Sequence, residues 1–425
     1  MNVLILGGGG REHAIAWKIS QSERLENLVV APGNAGTGAL AENVNVDPVD
    51  FKAVAQLVIQ KSIQLVIVGP EQPLVEGISD YFSQNSNLKD TLVLGPSSTA
   101  ARLEGSKDFA KAFMRRHQIP TAGSKSFTKK HIGEAKEFLK TLAPPFVLKA
   151  DGLAAGKGVL ILEDIAKAQE ALEDMLVNAK FGKASEVVVV EEFLKGVECS
   201  VFILTDGKDY MLMPVAKDYK RAREGDRGLN TGGMGCVSPA PFADRSFIEK
   251  VEQRIIQPTI QGIKEEQIDY KGFLFFGLMD AGGEPYVVEY NVRLGDPEAQ
   301  VVLPRLEGDF LEVCYAAAQG KLRNKTLEIS EKYALNVVAA SGGYPEAYEK
   351  GKIIRGLKHS KNGIIFHAGT KQENNSTISS GGRVLSVTAV ADTLALAKSQ
   401  AYEVIKQISF DKMYYRNDIG SDLLK

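Results

Sequence analysis

Within the first hundred residues, short uninterrupted apolar runs each end in a glycine or proline loop: VLIL into GGGGREH, NLVVA into PGNAGTG, LVIVG into PEQP, TLVLG into PSS. Helical stretches, Glu12 to Ser20, Phe51 to Lys61 and a third after Pro73, separate them. Four-residue runs with no polar face describe strands covered on both sides, and helices between them make the sheet parallel and doubly wound. Ligands of such sheets sit beyond the carboxyl ends of the strands, so the four loops predict one binding crevice.

That crevice is not a dinucleotide site. Starting the fingerprint G-x-G-x-x-G at Gly7 puts Glu12 where the third glycine belongs, and starting at Gly8 puts His13 there. The second strand runs into Ala31-Pro32-Gly33, so the acid that would hold an NAD ribose is missing. A glycine turn followed by Arg11 at a helix start still suits a single phosphate, because helix N-terminal N–H groups and a guanidinium both favour an anion. A tight turn with a solvated arginine is the alternative.

After a helical linker, Ser98 to about His117, a small α/β lobe spans about 120–193. It carries FVLK, the stretch ADGLAAGKGV and the strand VLIL, a hairpin with a glycine tip. Gly158, not a hydroxyl residue, follows Lys157, so the stretch is no Walker loop. It reads as a turn or as a lid over a nucleotide. A larger lobe follows, with a hairpin over VECSVFIL and YMLMPVA, a long polar loop from Lys217 to Pro241, a helix from about Ser246 to Lys264, and paired strands GFLFFGLMD and PYVVEYN. Beyond Glu331, strands ALNVVAAS, GIIFHAG and RVLSVTAVA accompany a helix from Thr393 to Ile408.

Three constellations carry chemistry. Glu289 and Asn291 lie two apart at a strand end and so share a face, with Arg293 next in the row. A carboxylate beside an amide oxygen suits magnesium, which completes its shell with phosphate oxygens and water, and Arg293 would stand where a transferring phosphoryl group needs neutralising. In VVVVEEFLKGVE the strand passes through Glu191 into a hinge where Leu194 could pack on an adenine ring and Glu198 accept from ribose hydroxyls. Lys107 and Lys149 form the third set, Lys149 ending a buried strand beside the glycine loop as a phosphate clamp. Singly these read as a capped strand end, a common hairpin and a solvated lysine.

Their order resembles the ATP-grasp arrangement. With GGGGREHA, APGNAGT, GPEQPLVEG, LKADGLAAGKGV, EEFLKGVE, DYKRAREGDRGLNTGGMG and NVRLGDPEAQ, the chain resembles the glycinamide ribonucleotide synthetases (phosphoribosylamine-glycine ligases) over essentially its whole length. The resemblance implies an α/β protein with an N-terminal parallel-sheet domain (1–103), a two-lobed ATP-grasp core (104–325) and a small C-terminal α+β domain (326–425). It implies ligation of glycine to 5-phosphoribosylamine through glycyl phosphate, with ATP and Mg²⁺ or Mn²⁺. Glu289 and Asn291 would hold the metal, and Arg293, Lys149 and Asp218 would be catalytic. ATP would meet Lys107, Lys149, Gly156, Glu191, Leu194 and Glu198; the other substrates would meet Gly10, Arg11, Asn34, Asp218, Asn230, Thr231, Gly232 and Arg293.

Three positions depart from the family pattern: Tyr219 for His, Leu229 for Pro and Leu294 for Phe, while Asp280 is an acid the pattern does not call for. A ligand-binding protein without catalysis, or another ATP-grasp ligase or carboxylase, are the rival readings. With 51 Lys+Arg against 53 Asp+Glu, nothing points to nucleic acid or a membrane. Three scattered cysteines and no run of 18 apolar residues make the cytoplasm the default, and a monomer is the expected state.

Overall fold

A computed structural model describes residues 1–153, 158–357 and 361–424. The N-terminal sheet is parallel throughout, in the order Glu42–Asn43, Asn27–Pro32, Asn2–Gly7, Leu65–Val68, Leu92–Leu94. Its central strand is buried from Val3 onward, which is why VLIL carries no polar alternation. The edge strand Glu42–Asn43 is two exposed residues, too short and polar to leave a periodic signal. The third helix begins at Glu71, ahead of Pro73, because proline is tolerated in a first helical turn. It breaks at Gly77, whose φ of 90° is left-handed, before Ile78–Gln84 resumes.

The small lobe is antiparallel, Ser124–Thr128, Val187–Glu191, Phe146–Ala150, Val159–Leu162, and the glycine hairpin pairs as its flanking strands foretell. Helices Ile132–Lys140 and Ile165–Leu176 cover it with an apolar cluster confined to this lobe. The large-lobe sheet runs Tyr210–Leu212, Val197–Thr205, Gly272–Asp280, Pro285–Asn291. Its core is not its own: one cluster joins Leu4, Leu6 and Val66 to Val201, Ile203 and Phe276. A second joins Val3, Ile5 and Ile67 to Phe202, Phe275 and Phe310. The helix over this sheet is continuous but passes through a π segment, Glu252–Ile256, just ahead of Pro258, which has no N–H to donate.

The segment that reads as a long polar loop turns out to carry strands. Lys217–Asp218 and Gly235–Ser238 form one side of the C-terminal sheet, continuing through Tyr333–Ser341, Arg383–Ala391 and Ile364–His367, and helix Leu394–Ile405 packs on it. This sheet docks on the N-terminal helix Gly10–Ile19: Phe366 lies edge-on to Trp17 at 5.8 Å, and the His367 N–H donates to His13 Nδ1 at 2.8 Å. Among the described residues the cysteines are buried and unpaired, and no helix is long and apolar enough to cross a membrane.

Phe276 is fully buried in the shared core, edge-on to Tyr290 at 5.5 Å. Phe276→Ala should lower stability by about 3–5 kcal/mol, read as an earlier urea midpoint by circular dichroism; an unchanged midpoint would show that the two sheets do not depend on this core.

Candidate active site

The two lobes face each other across a cavity of about 550 Å³ whose inner end is closed by residues of the N-terminal and C-terminal units. Its floor is the strand Pro285–Asn291. A bulge in the pairing with Gly272–Asp280 leaves Val288 without a cross-strand partner, and its carbonyl accepts from Lys149 Nζ at 3.2 Å. Lys149 also pairs with Glu191 Oε2 at 3.0 Å. So does Lys111, at 3.1 Å, with further bonds to Thr121 Oγ1 and the Ala122 carbonyl. Glu191 Oε1 is buried without a partner. Burial pushes Lys111 down to about 8, against the pull of Glu191. Sequence reasoning passed over Lys111, although it stands one helical turn from Lys107 on the same face. Lys107 Nζ holds the Gly152 carbonyl at 3.2 Å, at the start of the glycine loop.

Glu289, Asn291 and Arg293 all line this cavity. Arg293 Nη2 donates to Glu104 at 2.6 Å and to Asn291 Oδ1 at 3.0 Å, and Glu71 lies 3.4 Å from Nε. Glu104 also accepts the Val292 N–H at 2.8 Å, which fixes the strand end to the linker helix. The Glu289 carboxylate makes no hydrogen bond or ion pair with any described residue, and Asn291 Nδ2 is buried and unpartnered. A partnerless carboxylate beside an amide oxygen fits a divalent cation. No cluster of three or more His, Cys, Asp or Glu able to hold a metal occurs among the described residues, so such a cation would draw its remaining ligands from phosphate and water. Asp280 is not one of its neighbours: its carboxylate accepts the Gly283 N–H at 2.6 Å in the hairpin turn.

Opposite this row, Lys220 bridges Glu198 at 2.5 Å and Asp218 at 3.2 Å. Burial, aided by Glu198, raises the Asp218 pKa despite Lys220. The loop Asn230, Thr231, Gly232 lies alongside. It is clamped from the C-terminal sheet: Arg383 Nη1 donates to the Gly232 carbonyl at 2.7 Å and to the Asp296 carbonyl at 2.6 Å. A Cβ on Gly232 would lie 2.8 Å from the Arg383 guanidinium carbon, so a larger residue here would push the end of the Arg383 side chain aside. Leu194 lines the cavity at the hinge; Gly156 lies outside the described residues. Lys220 and Glu298 also line the cavity, inside quoted motifs that assigned them no role, as do Glu104 and Arg383, which lie in none of those motifs.

Three expected substrate contacts stand differently. Gly10 lines neither the lobe cavity nor the adjoining crevice, and a Cβ there would meet Gln300 Nε2 at 2.3 Å. The Asn34 side chain is occupied by its own turn: Oδ1 accepts from Gly36 and Thr37, and Nδ2 donates to the carbonyls of Gly8, Gly9 and His367. It holds the loop in place of presenting a free group. Arg11 reaches the cavity, but its Nε binds Glu12 at 2.6 Å and its Nη1 the Leu294 carbonyl at 3.1 Å. The crevice beyond the parallel strands is a second cavity, about 380 Å³, lined by Gly8, Gly9 and Gly33 and closed by Gly369 and Thr370. The two cavities meet at Asp296 and Arg383, which line both.

Of the departing residues, Tyr219 has a local role. The Tyr219 hydroxyl donates to Asp422 at 2.6 Å and accepts from the Gly420 N–H, tying the loop to the chain end. Leu294 is buried and Leu229 exposed.

Comparison with known proteins covers nearly all of the chain. The families described as Phosphoribosylglycinamide synthetase, N domain, ATP-grasp (A) domain and C domain match residues 1–104, 105–299 and 334–422. The phosphoribosylamine-glycine ligase of Caldanaerobacter subterraneus subsp. tengcongensis is 46% identical over 99% of this chain and 100% of its own length. The chain is also 47% identical to the bifunctional purine biosynthetic protein ADE1 of Schizosaccharomyces pombe, over 99% of this chain but 53% of that protein. The crystal structure of the Thermotoga maritima phosphoribosylamine-glycine ligase superposes with a TM-score of 0.86 at 35% identity, over 99% of this chain and 100% of that one. A biotin carboxylase from Campylobacter jejuni superposes at 0.75 with 14% identity, over 97% and 92%, a likeness of fold.

Lys111 supplies a pH test. The folded chain gives up its proton near pH 8 and an unfolded lysine only near 10.4. Between those values the unfolded state binds more protons, so stability rises with pH. Thermal melts of wild type and Lys111→Met should therefore diverge in favour of wild type from about pH 8 to about 10; parallel curves would remove the assignment.

Proposed function

The chain belongs to the phosphoribosylglycinamide synthetase family, and from that premise we propose how its cavity joins glycine to 5-phosphoribosylamine with conversion of ATP to ADP and phosphate. A carboxylate is a poor electrophile, so glycine must first be activated as glycyl phosphate, which the amine of phosphoribosylamine then attacks. The observation that carries this reading is one cavity in which the unpaired Glu289 carboxylate stands among Lys107, Lys149 and Arg293 and opens toward Asp218.

The adenine end of ATP fits the hinge at Glu191 to Leu194, where Leu194, Val147 and Ile161 offer apolar surface. Glu198 reaches the ribose. Lys149 and Lys107 direct their ammonium groups at the phosphates, and Lys107 holds the start of the glycine stretch at the Gly152 carbonyl; residues 154–157, to which the role of a lid over the acyl phosphate falls, lie outside the described residues. Glu289 and Asn291 would hold magnesium or manganese, which neutralises phosphate charge during transfer. Arg293 is held by Glu104 and Asn291 with its orientation fixed, so its charge acts on the transferring group without reorganisation.

Asp218 receives the glycine ammonium, and Asn230, Thr231 and Gly232 bring backbone close to the reacting carboxylate. The sugar phosphate sits in the adjoining crevice at Gly8, Gly9 and Gly33, whose loops Asn34 shapes. Arg11 contributes positive charge behind that crevice and Arg383 borders it. No side-chain nucleophile is needed, because positioning and electrostatics account for phosphoryl transfer.

Purified protein should release ADP only when glycine and freshly generated phosphoribosylamine are both present; ADP release independent of glycine would defeat the reading. Glu289→Gln should lower kcat by about 10²–10³ with an unchanged circular dichroism spectrum, and a variant with wild-type kcat would remove Glu289 from the metal site.

A further inference from the structure

The ligation leaves one proton without a destination. When a neutral amine attacks an acyl phosphate, the N–C bond forms, the C–O bond to the phosphoryl group breaks, and phosphate departs with that electron pair. The nitrogen must then lose a proton to become an amide. Lysine and arginine cations cannot accept it, so the acceptor is sought among the acids of the cavity.

Nearly all of those acids are engaged. Asp218 and Glu198 pair with Lys220, Glu191 with Lys111 and Lys149, and Glu104 with Arg293. Asp296 accepts from Gln300 and the Arg11 N–H and lies 3.4 Å from Arg383. Burial works against its charge, but Arg383 and Arg11 outweigh burial and hold its carboxyl below the usual range, where it is a weak base. Glu192, at the exposed rim, accepts the Gly123 N–H. Glu289 faces the proposed cation.

Glu298 is different. The residue is 5% exposed and lines the cavity. Apart from its own backbone N–H, its carboxylate meets no hydrogen-bond or ion-pair partner among the described residues. The carboxylate folds back over Gly295, where any Cβ would lie 2.3 Å from Oε2. That glycine makes the room it occupies. Around it stand Asp218, Lys220 and Arg293, with Cys236 on the strand Gly235–Ser238.

We propose that Glu298 accepts the proton lost by the phosphoribosylamine nitrogen as it attacks the activated glycine carbonyl, an assignment that rests on the acyl-phosphate reading of this cavity. The acid sits beside Asp218, which that reading places on the glycine ammonium, so it borders the carbon under attack. Burial and the charge of Asp218 push its pKa up to about 7, matched to a base working at neutral pH.

Hydroxylamine separates the two half-reactions. It traps glycyl phosphate as the hydroxamate, and its nitrogen surrenders its proton to water far more readily than an alkyl amine. Glu298→Gln should lose about 10²–10⁴ in phosphoribosylamine-dependent turnover while keeping glycine-dependent hydroxamate formation within about three-fold. Equal loss of both reactions, or retention of both, overturns the assignment. Wild type supplies a measurement independent of any variant's folding: kcat/KM for phosphoribosylamine should fall as pH drops through about 7, and the hydroxylamine reaction should not. A common acid limb, or none, also overturns it. If wild type makes neither hydroxamate nor ligated product, the acyl-phosphate reading itself has failed; if it makes both and Glu298→Gln keeps the ligation, only the role of Glu298 has.

Discussion

Arg293 is the charge on which the architecture of the cavity turns. It follows a strand end of the large lobe, yet its guanidinium is gripped by Glu104 of the linker helix and approached by Glu71 from the N-terminal unit. Burying a cation is unfavourable unless its partners are close and correctly aimed, and removing one partner from such a pair is more damaging than never having had it. The arrangement therefore has value beyond stability. It couples three segments distant in sequence to one orientation, so that a charge available to a reacting group is already in position. Asn291 shares in this: its Oδ1 accepts from Arg293 at 3.0 Å, which ties the strand end to the same guanidinium.

A second coupling runs through the loop between the lobes. Strands Lys217–Asp218 and Gly235–Ser238 belong to the C-terminal sheet, so Asp218 and the Asn230 to Gly232 segment are held from that side while projecting into the cavity of the central core. Arg383, first residue of a C-terminal strand, completes the clamp by holding the carbonyls of Gly232 and Asp296 together. The C-terminal unit is thus part of the site wall, and the cleft between lobes and the crevice beyond the N-terminal strands are joined at residues it holds.

How much of this was legible in the sequence follows from what each element buries. The N-terminal strands are covered on both faces, and uninterrupted apolar runs announce them; the glycine hairpin was legible from the strands on either side. The strands within 217–238 were not, because two- and four-residue pieces among charged and glycine residues carry no period. Motif order grouped Lys149, Glu289, Asn291 and Arg293, the family resemblance added Asp218, and all five line one cavity. Lys111 drew no notice in the sequence, because its role appears only once folding sets it against Glu191. Arg383 and Glu104 depend on contacts across hundreds or tens of residues, which local spacing cannot encode. Asn34 was noticed for the right loop, but its amide is consumed in shaping that loop.

The small lobe has an apolar cluster of its own, whereas the N-terminal and large-lobe sheets share theirs. Shear will concentrate where greasy surface is not interleaved, and that seam runs between the small lobe and everything else. Polar links span it, among them Lys149 to the Val288 carbonyl and Lys107 to the Gly152 carbonyl, and such links can exchange for water with little net loss. The surface bearing Glu289, Arg293 and Asp218 therefore lies on the side of the cavity whose apolar packing is interleaved, and the small lobe meets it across a seam held mainly by polar contacts.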